Sequence, residues 1–154
     1  MARRIMKAFM LTIAHRMRAF ARRSPEDRVL LLHAFALHLG IAVLYRAVPF
    51  GWLTRTLERR YPVRNHDGAA PDMTAGSRAI WAATTSAALT PRSATCLTIS
   101  LTAQCLVRHL GSDAVLRFGV LRETRPRLAA HAWLESAGRP LPGLSLAADH
   151  LALE

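Results

Sequence analysis

Two residues carry side chains and settings that suit covalent chemistry. Cys96 follows Thr95 at the first turn of a predicted helix, and His131 stands in the alternating run Ala130-His131-Ala132-Trp133-Leu134-Glu135. A thiol at a helix start faces unpaired N–H groups and the positive end of the helix dipole, which favour its anion. An imidazole brought beside such a thiol can take its proton for attack on an acyl carbon and return it to a leaving amine. On position alone Cys96 reads just as readily as an inert core cysteine, and His131 tips the balance. Cys105 lies nine positions further along the same helix, about 13 Å away on the opposite side and out of disulfide reach. It reads as buried and inert. Two reduced thiols point to a cytoplasmic protein. His15, His33, His38, His66, His109 and His150 have no comparable strand context and read as surface or core polar groups.

These two residues need a helix and a strand to hold them. Thr95 can cap a helix from about Cys96 to Leu110, and Gly111 stops it. The period then changes: residues 114–120 alternate as a strand, 121–128 read as a polar loop, and 129–136 form a second strand that Ala137-Gly138 turns into a third. Strand alternation sends His131, Trp133 and Glu135 to one face. Ala130, Ala132 and Leu134 then make a small apolar face suited to packing on a helix. Trp133 is placed to cover the imidazole or to line a peptide groove, and equally to be ordinary packing. Glu135, four positions from His131, reads as solvent-facing.

The first half is helical and strongly basic. Residues 1–23 mix seven cations with Ile5, Met6, Phe9, Met10, Ile13, Met17 and Phe20 at a helical repeat, a basic amphipathic extension. A secretory signal is the competing reading, but His15, Arg16 and Arg18 interrupt its apolar run. Ser24-Pro25-Glu26-Asp27 starts a long helix. From Val29 to Tyr45 the chain has no formal charge, a run at the lower edge of bilayer-spanning length. His33, His38 and Gly40 weigh against spanning, and burial among other helices explains the run equally well. Trp52 to Tyr61 reads as a second amphipathic helix with Arg55, Arg59 and Arg60 on its wet side. The segment from Asn65 to Gly76 reads as a linker, and Ser77 to Leu89 as an alanine-rich helix. The domain reading is thus an extension (1–23), a helical region (24–64), a linker (65–76) and a catalytic core (77–154).

The 154 residues are 51% hydrophobic and 20% charged, which excludes a disordered or low-complexity chain. The formal charge of +11 divides into +10 over residues 1–64 and +1 over residues 65–154. That asymmetry suits an acidic partner, nucleic acid or an anionic membrane, and equally a set of solubilising arginines. No Gly-rich phosphate loop, internal repeat or metal-spaced Cys/His cluster is present in the sequence, so neither a nucleotide nor a metal is expected.

Thr95-Cys96-Leu97-Thr98, Arg108-His109-Leu110-Gly111, Leu116-Arg117-Phe118-Gly119-Val120 and the run from Ala130 to Arg139 resemble the lasso peptide B proteins. Ser24-Pro25-Glu26-Asp27-Arg28 and Val48-Pro49-Phe50 resemble the N-terminal part of their standalone form. These are transglutaminase-like cysteine proteases of lasso peptide biosynthesis. The resemblance implies an α+β papain- or transglutaminase-like core, with a helical N-terminal half and a nucleophile at a helix start packed on a small antiparallel sheet. It implies removal of the leader from a ribosomally made precursor peptide, with a separate leader-recognition protein and a lasso cyclase as partners and no nucleic acid. Cys96 matches the nucleophile and His131 the general base and acid. An acidic third member is expected soon after the histidine strand, yet Pro140-Leu141-Pro142-Gly143-Leu144 has no carboxylate. Asp149 is the nearest downstream candidate. Two other readings stay open: a transglutaminase-like acyl transferase using the same pair, and a noncatalytic basic adaptor or membrane-surface protein built on residues 1–64.

Overall fold

The structure, a computed structural model, describes residues 20–63, 72–121, 129–141 and 150–152. Helix α1 (Pro25–Ala47) begins where Ser24 accepts the Asp27 N–H at 3.1 Å, with Pro25 in the first turn and Glu26 and Asp27 at the positive dipole end. Helix α2 (Phe50–Arg60) follows Pro49 and buries Leu53. Helix α3 (Met73–Ala87) is capped by Asp72, whose carboxylate accepts the N–H groups of Thr74 and Ala75. Helix α4 (Cys96–His109) ends before Gly111, which takes φ +85°, a conformation costly for side-chain-bearing residues. Arg78 on α3 reaches Asp27 at 3.0 Å and ties the starts of α1 and α3 together.

Among the described residues, four strands form one antiparallel sheet in the order β3-β2-β1-β4. Strands β1 (Val115–Leu121) and β2 (Ala129–Ser136) make its centre. Ala137 (φ 49°) and Gly138 (φ 72°) turn β2 into β3 (Arg139–Pro140) in a two-residue hairpin, where consecutive positive φ values match the strand twist. Strand β4 (His150–Ala152) pairs with the far edge of β1. The fold is α+β, as expected. The sequence reading had no strand at 150–152, since three residues are too few to show a period.

Two expectations change. The linker ends earlier than residue 76, because residues 73–76 form the first turn of α3. Gly76 looked like a breaker but serves a close approach: a Cβ there would lie 2.8 Å from Leu141 Cδ2. Residues 65–71 of that linker and residues 1–19 of the extension lie outside the described residues. Burial among other helices, the second reading of the Val29–Tyr45 run, applies to only one face of α1. Leu30, Ala34, His38, Ile41 and Ala42 are buried, while Val29 (66%), Leu32 (61%), Leu39 (37%) and Val43 (64%) are exposed. Among the described residues α1 has the length and composition to cross a membrane, a test that a core helix also passes.

The main core joins Leu30 and Ala34 of α1, Ala79, Ile80, Ala82 and Ala83 of α3, Ala103, Leu106 and Val107 of α4, and Leu134 of β2. A smaller cluster of Ile41, Leu53 and Leu101 gathers Leu97 and Leu116 around it, so the start of α2 lies beside the start of α4. Alanine dominates where α1, α3 and α4 meet, which lets their axes approach closely.

Candidate active site

The site is built from the start of α4 and the middle of β2. Thr95 caps α4 in a reciprocal arrangement: its hydroxyl accepts the Thr98 N–H at 3.2 Å, and the Thr98 hydroxyl accepts the Thr95 N–H at 3.0 Å. Thr98 Oγ1 also lies 2.8 Å from the Ser93 carbonyl and can donate to it, so the turn ahead of the helix is held as well. The first helical residue is Cys96, half-buried and free of any disulfide. Its position at a capped helix start is the one the sequence indicated.

One turn further along the same face, the Ser100 hydroxyl donates to the Ala132 carbonyl at 3.0 Å, a contact buried from water. Ala132 directly follows His131. Residues four apart on a helix stand one above the other about 5.4–6 Å apart, so this bond fixes the turn that bears Cys96 against the strand segment that bears His131. His131 is half-buried, and the residue opposite it on β1 is Gly119, which presents no side chain.

Strand alternation divides β2 as expected. Ala132 and Leu134 are fully buried. On the other face the His131 and Trp133 rings lie nearly parallel, 15° apart in plane with centroids 6.3 Å apart. Of the uses considered for Trp133, its ring stacks on the imidazole, and only 2% of the residue is exposed. The indole N–H donates to Glu135 Oε1 at 3.0 Å, and Arg117 Nε donates to Glu135 Oε2 at 3.2 Å. Glu135 is therefore a largely covered anchor for Trp133, not the solvent-facing residue the sequence suggested. Arg117 faces Trp133 directly in the β1–β2 register. The sequence reading passed over Ser100, gave Arg117 no role and took Glu135 as solvent-facing; only the charges at positions 117 and 135, in otherwise apolar strands, could have flagged the pair. Asp149 lies outside the described residues; its neighbour His150 pairs with Leu121 at the edge of the sheet.

The remaining thiol behaves differently. Cys105 is buried, and that burial pushes its thiol up to about 12. Phe50 at the start of α2 and Phe118 on β1 meet edge to face at 6.3 Å, both partly exposed.

The helix that begins at Cys96 packs on the antiparallel strand that carries His131, the pair of elements that thiol acyl transfer would use. Comparison with protein families finds a match to Transglut_core3, the transglutaminase-like superfamily, over residues 37–152. The chain belongs to the transglutaminase-like superfamily. The matched stretch starts within α1 and includes α2, α3, α4, all four strands, Cys96, His131, Trp133 and Asp149. Transglutaminase-like domains are generally of the cysteine-protease type, which sets the coarse chemistry as thiol-based peptidase or acyl-transfer activity. No curated protein and no solved structure matches the chain.

Proposed function

We propose that this transglutaminase-like chain is a cysteine peptidase that cleaves the leader from a ribosomally made lasso precursor peptide. The observation that carries this reading is the Ser100–Ala132 bond, which sets the Cys96 turn against the strand of His131. The resemblance of the Cys96 and His131 motifs to the lasso peptide B proteins supplies the substrate class. Cys96 is the nucleophile, and His131 is its general base and then the acid. The thiolate attacks the last carbonyl of the leader, the leader acyl group becomes a thioester on Cys96, and the core peptide leaves as a free amine carrying the proton from His131. Water then attacks the thioester, releasing the leader acid and the thiol.

The Trp133 ring lies nearly parallel to the imidazole two residues before it, placed to help orient it as a third triad member does. Asp149 is our candidate for that third member. The Cys96 N–H at the helix start is the default oxyanion donor. A separate leader-recognition protein and a lasso cyclase are the proposed partners, in the cytoplasm. Exposed Arg55, Arg59 and Arg60 on α2 give the helical half a cationic face suited to an acidic leader or partner.

Purified chain, recognition protein and precursor peptide, combined and followed by mass spectrometry, test the reading. Free leader acid is expected with the native chain, and Cys96→Ala or His131→Ala should lower its rate by about a thousandfold. Undiminished cleavage by either variant overturns the assignment. A leader–amine amide in place of leader acid would make the chain an acyl transferase instead.

A further inference from the structure

Directly across β1 from His131 stands Gly119, which adds no side chain beside the imidazole. Two residues along β2, the Trp133 ring lies 15° from the imidazole plane. The second torsion of a tryptophan is soft, so burial alone leaves its ring plane loosely set, and a directional bond at the indole N–H is what sets it. Glu135 Oε1 accepts that N–H at 3.0 Å. Its other oxygen accepts from Arg117 Nε at 3.2 Å, and Arg117 reaches it diagonally from the position opposite Trp133 on β1. A buried indole N–H needs an acceptor, and a neutral amide or carbonyl would serve. Here the acceptor is a carboxylate, its side chain 20% exposed and itself held by a cation from the neighbouring strand. Such charge-assisted bonding is stronger than covering the ring requires.

We infer that Glu135 and Arg117 are positioning residues for His131, acting through the Trp133 ring, a role that rests on the peptidase reading of Cys96 and His131. Glu135 is four residues beyond His131, about 13 Å along an extended strand, so its effect reaches the imidazole as orientation and not by contact. With the acceptor at 135 removed, the indole is free to turn, and the flat wall beside the imidazole goes with it. The imidazole then populates rotamers from which it cannot exchange a proton with the thiol. Proton transfer and thiol attack depend steeply on alignment, so the loss falls on the chemical step and leaves substrate binding unchanged. Arg117 acts one step further out. Without it the carboxylate still accepts the indole N–H but is held from one side only, and a smaller loss follows.

Initial rates of leader cleavage by the full chain, with the recognition protein and a concentration series of precursor peptide, test this, and thermal unfolding reports folding. Glu135→Leu should lower kcat about tenfold and change KM less than about twofold. Glu135→Gln keeps an acceptor for the indole and should restore most of the rate. Arg117→Met should lower kcat about threefold. The pH profile of Cys96 alkylation by iodoacetamide should move upward in Glu135→Leu, toward that of an unassisted thiol, and return in Glu135→Gln. A structural role alone would lower the unfolding temperature and leave kcat and the alkylation profile in place. Native kcat in folded Glu135→Leu, a loss confined to KM, or Glu135→Gln as slow as Glu135→Leu would each overturn the inference. Should Glu135→Leu fail to fold, Arg117→Met at its half-exposed position decides, and native kcat there overturns it. Cleavage that survives Cys96→Ala or His131→Ala removes the peptidase reading itself. Cleavage lost in those two variants yet native in Glu135→Leu removes the positioning role alone.

Discussion

Thr98 shows how much of the candidate site depends on single hydroxyls. It closes the cap with Thr95, reaches the Ser93 carbonyl at 2.8 Å, and thereby fixes the backbone from which the Cys96 thiol projects. The two cysteines on α4 divide sharply at this scale. Cys96 is half-buried at the helix start, whereas burial holds Cys105 protonated far above neutral pH. Iodoacetamide at about pH 7.5 should therefore label Cys96 at least tenfold faster than Cys105 in the folded chain. Peptide mapping of the modified protein checks this, and equal slow labelling would count against Cys96 as a nucleophile. The positions of Cys96, His131 and Thr95 could be read from the sequence because caps and alternation are local. Ser100, Glu135 and Arg117 could not, because their contacts depend on where α4 docks and on the β1–β2 register, which no short window encodes.

Elements add a dependence on acidity. His38 is fully buried in α1, with Nδ1 3.4 Å from the Thr102 hydroxyl of α4 and, among the described residues, no partner at Nε2. Burial pushes His38 below the ordinary histidine value. His33, whose Nε2 lies 2.9 Å from the Tyr61 hydroxyl, is lowered first by burial and then by the charges of His109 and Arg60. Both rings favour the neutral form when folded and take up protons more readily once unfolded. Their contribution is complete above about pH 6.5 and is lost as pH falls through and below that value. Urea midpoints should thus be lower at about pH 5 than at about pH 7.5, and His38→Leu should flatten part of the difference. Helix starts at Ser24 and Thr95 and the first three strands were legible because caps, turns and periods marked them. The start of α3 was misplaced because Gly76 and Pro71 looked like breakers, and Asp72, a local cap standing between them, was read as part of the linker. β4 left no period to read and is defined by its pairing with β1.

The whole molecule makes the charged half and the half that carries the candidate site one cooperative body. Leu30 and Ala34 of α1 lie in the same core as Leu106, Val107 and Leu134, so the change in charge near residue 64 does not mark a break in packing. A fragment starting at Asp72 would expose those alanine-lined faces of α3 and α4. It should lose cooperative unfolding and near-ultraviolet dichroism, and a fragment with the native chain's transition would show that α1 is dispensable. The charge asymmetry visible in the sequence thus describes a surface, while the core is apolar and shared, a distinction that composition alone cannot draw. Gly76 and Leu141 carry this unity into inheritance. The missing methyl of the first is filled by the branched end of the second, so enlarging position 76 obliges the Leu141 branch to swing aside or to shrink, and substitutions at the two positions are expected to be inherited together.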